Sequence, residues 1–368
     1  MDLEHGGDIY TEGIFKGRKL LDFSSNINPL GVPASFKENI EEAVKLADVY
    51  PDIKYRKLKE NIKDYLESYD SCFSKCGCGT VGENLRDRIS IVPGNGASEI
   101  LDLALGHFKS VCIVVPSFIE YEKSALKWNC NIVYSRLKPD MNFDYEDIKK
   151  KIRNVDSLII GNPNNPNGQI IDKKRFYSIV EYCEKNGKTI IIDEAFIEFA
   201  GDSRYSFLNE TGKYRCILIV RALTKFFALP GVRFGYGISS DSNLVIDIEK
   251  GQNPWNINCF AEIAAKYVLR DSEYIGRSLE WIASERKFMK ENLERAGIIE
   301  KVYDTFSNFV LCRLSSGVNS ACVYEMCLKE GAVIRKCENY RGLGENYIRL
   351  AIKDRHKNEK MLHIIENL

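Results

Sequence analysis

In RALTKFFALPGVRFG (221–235) a single lysine, Lys225, stands among apolar neighbours, with Arg233 eight positions later. A buried ammonium is costly unless something neutralises or consumes it, so Lys225 needs a use. Three other stretches carry groups of complementary chemistry. PGNGASEIL (93–101) is a glycine-rich turn feeding a helix, where Gly96, Ala97 and Ser98 can offer N–H groups to a phosphate. GNPNNPNG (161–168) puts Asn165 in a turn just after an apolar run, and IIIDEAF (190–196) ends an isoleucine run on Asp193. Taken singly, each has a plainer reading: two turns and a surface acid.

Together and in chain order, these groups meet the needs of pyridoxal phosphate. That cofactor takes a lysine for its Schiff base, an acid facing its pyridine nitrogen, and a phosphate cup backed by arginine. It also gains from a hydrogen bond to its phenolic oxygen and an aromatic ring on its face. A fifth set lies at the chain's ends: HGG (5–7), LDFSSNINPLGVP (21–33) and VIRKCENYRGLGENYIRLAI (333–352), the last with Arg335 and Arg349. Two planar guanidinium forks at strand ends suit a substrate with two anionic groups. Either arginine alone is as well read as a surface residue.

The elements that must position these groups follow from periodicity. SVCIVVP, CNIVYS, DSLIIGNP, KTIIIDEAF and RCILIVR read as buried strands, and DKKRFYSIVEYCEKNG (172–187) as a helix between two of them. This alternation predicts an α/β fold: a mostly parallel central sheet with flanking helices, its ligand site at the carboxyl ends of the strands. From about 257 a long helix to about 296, then SNFVLCRL, a helix and YIRLAI, predict a smaller α+β C-terminal domain. The organisation expected is an N-terminal arm (1–35) over the substrate site, a large cofactor-binding domain (36–256) and the small domain (257–368).

The 368 residues hold 52 basic and 52 acidic side chains, a balance that points away from nucleic acid. No apolar run is long enough for a membrane span, and the polar, acidic start is unlike a secretory signal, so a cytoplasmic protein is expected. Most of the twelve cysteines read as small core residues. Cys72, Cys76 and Cys78 cluster in a glycine-rich stretch without zinc-ribbon spacing, and no metal is expected.

On these motifs the chain resembles the fold-type I pyridoxal-phosphate enzymes of the aminotransferase class, nearly end to end. The resemblance implies that Lys225 forms the Schiff base, Asp193 faces the pyridine nitrogen and Asn165 binds the phenolic oxygen. Phe118 stacks on the ring, while Gly96, Ala97, Ser98, Thr224 and Arg233 surround the phosphate. Tyr50, in VYPDIKY, resembles a tyrosine lent to the neighbouring subunit's phosphate, which implies a homodimer.

Within the class, HGG, LDFSSNINPLG, YPD, DEAFIEF, LTKFFALPGVRFGY, NPWNIN and IRKCENYRGL are similar to the threonine-phosphate decarboxylases of cobalamin biosynthesis. That branch implies conversion of L-threonine O-3-phosphate to (R)-1-amino-2-propanol O-2-phosphate, with phosphoserine an alternative substrate. Arg349 then grips the α-carboxylate, and Arg335, His5, Gly6, Gly7 and Asn26 surround the substrate phosphate. Phe196 departs from the tyrosine of histidinol-phosphate aminotransferases, the competing assignment. Ala222 stands where the class has a phosphate-binding serine, and Asn167 where it has a threonine. The stretch from about Ser68 to Arg88 is longer than usual for the class.

Overall fold

The computed structural model describes residues 5–73 and 85–368. Cys76 and Cys78 of the cysteine cluster lie outside the described residues.

The five β-branched runs form strands at the expected places: Ser110–Val115, Asn131–Arg136, Ser157–Gly161, Thr189–Asp193 and Ile217–Ala222. With Leu21–Asp22 as β1 and Ser90–Gly94 as β2, these are β3 to β7, and Gly235–Ser239 is β8. The sheet order is β2-β8-β7-β6-β5-β3-β4, and only β8 runs against its neighbours. Successive residues of a strand face opposite sides, so each strand feeds two cores. Ile190 and Ile192 enter one hydrophobic cluster and Ile191 the other; Cys112 and Val114 likewise oppose Ile113 and Val115. Burial on both faces explains why these strands read as continuous apolar runs.

A second sheet holds Ile299–Val302 (β9), Phe309–Leu314 (β10), Arg335–Lys336 (β12) and Tyr347–Ala351 (β13). The short β1 pairs in parallel with Ala332–Val333 (β11), which ties the N-terminal arm to this C-terminal part. No helix among the described residues is long and apolar enough to cross a membrane.

One expectation needs correction, and two strands were missed. The helix expected from about 257 to 296 is two, Cys259–Val268 and Ser272–Leu293. Asp271 causes the break, because its side chain accepts from Tyr274 N–H and starts the second helix. β2 and β8 were not legible, since SIVPG and GYGIS carry proline and glycines that disfavour strands. Gly235 is there for closeness: a Cβ would meet the Ala97 nitrogen and sit 2.8 Å from Arg221 O. That close approach seats the helix Ala97–Leu105 against the sheet.

Candidate active site

At the carboxyl ends of β5, β6 and β7 lies a cavity of about 260 Å³. It is lined by Asn26, Ala97, Ser98, Phe118, Asn165, Asp193, Thr224, Lys225, Arg233, Arg335 and Arg349, with His5 and Gly6. Residues more than 300 positions apart thus meet in one place. Gly7 stands beside it, where its N–H donates to Ser24 Oγ at 2.7 Å. Tyr50 is 77% exposed, its ring tilted against Trp255 at 4.7 Å, and does not line its own chain's cavity. A larger open cleft near Lys138 and Arg175 gathers none of these groups.

Lys225 projects from the loop after β7. Burial, then the nearby Arg349, Lys353 and Arg233, brings its ammonium down to about 8. At neutral pH this leaves ~300-fold more of the neutral, nucleophilic amine than an ordinary lysine has. Asp193, at the end of β6, is buried rather than at the surface. Desolvation raises its pKa, opposed by hydrogen bonds from Tyr121 Oη and the Ala195 N–H.

Around Gly96 the structure has the shape of an anion cup. Gly96 has φ +89° and leads into the helix Ala97–Leu105, and a Cβ there would sit 2.8 Å from Arg233 Nη2. Glu99 in the first turn would oppose an anion, but its Oε2 is engaged by Asn95 N, Gln252 Nε2 and Asn256 Nδ2. Arg233 itself is held at φ +59°, a strained value for a non-glycine residue. Ala222 lines the cavity without offering a hydroxyl.

The two C-terminal arginines are 7% and 5% exposed, so neither is a surface residue. They are direct partners across antiparallel β12 and β13, which brings both to the same side of the sheet. Arg349 donates to Asn165 Oδ1 at 2.6 Å, Tyr340 Oη at 3.1 Å and Ser24 O at 2.7 Å, while its buried Nε has no partner among the described residues. Asn26 Oδ1 is also buried without a partner among the described residues. His5 Nε2 lies 2.8 Å from Glu120 Oε1. Phe196 packs edge-on against Phe309 at 5.2 Å, and Lys225 Nζ lies 5.9 Å from its ring centre. Asn167 is buried, donating to Met141 O and accepting from Asn164, so it knits the loop.

Three functional neighbours escaped the sequence reading. Tyr121 and Tyr340 sit inside stretches already singled out, yet their hydroxyls find partners 72 and 175 residues away. Lys353 donates to Ser25 O and clamps the arm beside Arg349.

A half-buried lysine just past a strand end, a buried acid on the adjacent strand and an arginine-backed helix N-terminus define a pyridoxal-phosphate enzyme of fold type I. The chain belongs to the aminotransferase class I and II family, whose model matches residues 18–368. The cofactor of this family is pyridoxal phosphate, and Gly96, Asp193, Lys225 and Arg233 fit it. A protein of Caldanaerobacter subterraneus, provisionally named a threonine-phosphate decarboxylase, is 38% identical over 99% of this chain and 94% of its own. The threonine-phosphate decarboxylase of Salmonella typhimurium is 28% identical, covering 99% and 96%. A crystal structure titled as the histidinol-phosphate aminotransferase of Clostridium acetobutylicum is 48% identical, with a TM-score of 0.88 over 95% and 98% of the two chains.

Proposed function

We propose that this enzyme decarboxylates L-threonine O-3-phosphate to (R)-1-amino-2-propanol O-2-phosphate, a reaction that serves cobalamin biosynthesis. The observation that carries the reading is the cross-strand pair Arg335 and Arg349 on the cavity wall. Like charges directly opposite one another destabilise a sheet unless something anionic faces them. With His5, Lys225 and Arg233 also on the wall and Asp193 the one acid among the described residues that line it, the cavity suits a ligand set with several negative groups.

Bound pyridoxal phosphate supplies an electron sink that makes one bond at the substrate's Cα labile. The chain's residues choose the bond. Arg349 holds the substrate carboxylate, while Arg335, His5 and Asn26 hold the phosphate at the far end. Remote binding of the phosphate fixes the orientation of the Cα–carboxylate bond. Lys225 Nζ then returns a proton to Cα after carbon dioxide leaves. Phe196 has no hydroxyl to offer the cofactor, so a bond to its phenolic oxygen would fall to Asn165 on the same cavity wall. Phosphoserine, one methyl smaller, is an accepted substrate on this reading, since a methyl gives only about 10- to 200-fold discrimination. The enzyme acts as a homodimer in which Tyr50 reaches the partner's cofactor phosphate.

The relative titled as a histidinol-phosphate aminotransferase, at 48% identity, favours a second reading: transamination of a phosphorylated amine. Incubation of the holoenzyme with O-phosphothreonine alone separates them. Decarboxylation predicts an amine product with the cofactor's starting spectrum restored. Accumulation of the amine form of the cofactor with a keto acid would select transamination.

A further inference from the structure

Asp193 does not face the cofactor site unaided. Tyr121 Oη donates to its Oδ2 at 2.6 Å, and the Ala195 N–H donates to Oδ1 at 3.0 Å. Tyr121 is 2% exposed, sits in the first turn of the helix Glu120–Lys127, and meets Phe118 edge-on at 5.8 Å. One helix start thus delivers both the ring expected to stack on the cofactor and a hydroxyl on the acid behind it.

We propose that Tyr121 is a positioning residue that keeps Asp193 ionised and aimed, so that the pyridine nitrogen of the cofactor stays protonated. This rests on the cofactor assignment and not on which reaction follows. A carboxylate buried in this way tends to take up a proton, and a neutral acid cannot stabilise a pyridinium. The bond from Tyr121 is the largest force against that tendency, ahead of the Ala195 N–H. Of the other charges at Asp193, Glu194 favours the neutral acid and Lys225 the carboxylate. Burial holds the Tyr121 phenol well above its ordinary pKa, so it remains a donor throughout the working range. Each carboxylate oxygen accepts one bond here, and a second lone pair on each remains for the ring N–H.

Tyr121→Phe keeps the ring and removes the donor. The test reads cofactor affinity, by absorbance titration of the apoenzyme, and the nitrogen chemical shift of bound, ring-¹⁵N-labelled cofactor at pH 8. The expected result is roughly 10-fold weaker binding, as for loss of one charge-assisted hydrogen bond, with the shift moved toward the unprotonated value. Tyr121→His, which keeps a donor, retains a shift closer to wild type. In the Asp193→Asn background, adding Tyr121→Phe costs no further affinity. Unchanged affinity and shift in Tyr121→Phe would overturn the proposal, as would an equal loss in the Asp193→Asn background. A wild-type chain that takes up no cofactor would instead overturn the assignment beneath it.

Discussion

Arg335 and Arg349 oppose each other across two strands, and among the described residues Arg349 Nε is buried with no partner, an arrangement suited to a ligand anion. Arg335→Gln is expected to raise KM for O-phosphothreonine by roughly 10- to 100-fold with a smaller change in kcat, measured by steady-state kinetics. An effect on kcat alone would place Arg335 away from the phosphate. Phe196→Tyr is expected to increase the fraction of turnovers that end in the amine form of the cofactor, read by absorbance during prolonged turnover. At this scale the sequence was informative where a residue's type conflicts with its surroundings. A lysine beside FFALPG and an aspartate ending a run of isoleucines are such conflicts. It was silent on Tyr121, Tyr340 and Lys353, whose apolar bodies or long stems pack ordinarily. Their importance comes only from a polar tip meeting a partner brought in by the fold.

Among the elements, the ends of β6 and β7 carry the two groups expected to do chemistry, and a buried ion pair ties them together. Arg221 donates to Glu194 Oε2 at 2.9 Å with neither side chain exposed, and its guanidinium lies 4.2 Å from the ring centre of Tyr69. Glu194→Gln removes the carboxylate bonded to Arg221 and is expected to cost about 3–5 kcal/mol, measured by denaturant unfolding. Next to this pair, burial pushes the Glu198 carboxyl from 4.5 up to about 7. In that window the folded chain binds a proton the unfolded chain has released, so stability falls as pH rises through it. The melting temperature should therefore decline between about pH 5 and 8, and Glu198→Gln should flatten that slope. A slope unchanged in the variant would contradict this. The five β-branched strands were legible because both faces are buried. β2 and β8 were not, because close approach of the helix Ala97–Leu105 demands glycine where strand propensity opposes it.

On the scale of the whole molecule, the arm, the large sheet and the C-terminal sheet converge on one cavity, but Tyr50 stays outside it. Exposed Ile40, Val44, Val49, Ile53 and Trp255 surround it in sequence or by contact, an apolar set suited to a second copy of the chain. If Tyr50 acts across the interface, mixing inactive Tyr50→Ala and Lys225→Ala chains restores activity, because one site of each hybrid has both residues. No recovery in hybrids verified by mass would place Tyr50 outside catalysis. The central claim, that the cavity breaks the Cα–carboxylate bond, is tested most directly with carboxyl-labelled L-threonine O-3-phosphate as sole substrate. Labelled carbon dioxide counted per active site should pass far beyond one, with aminopropanol phosphate formed in equal amount. Label retained in a keto acid, formed once per bound cofactor, would contradict it.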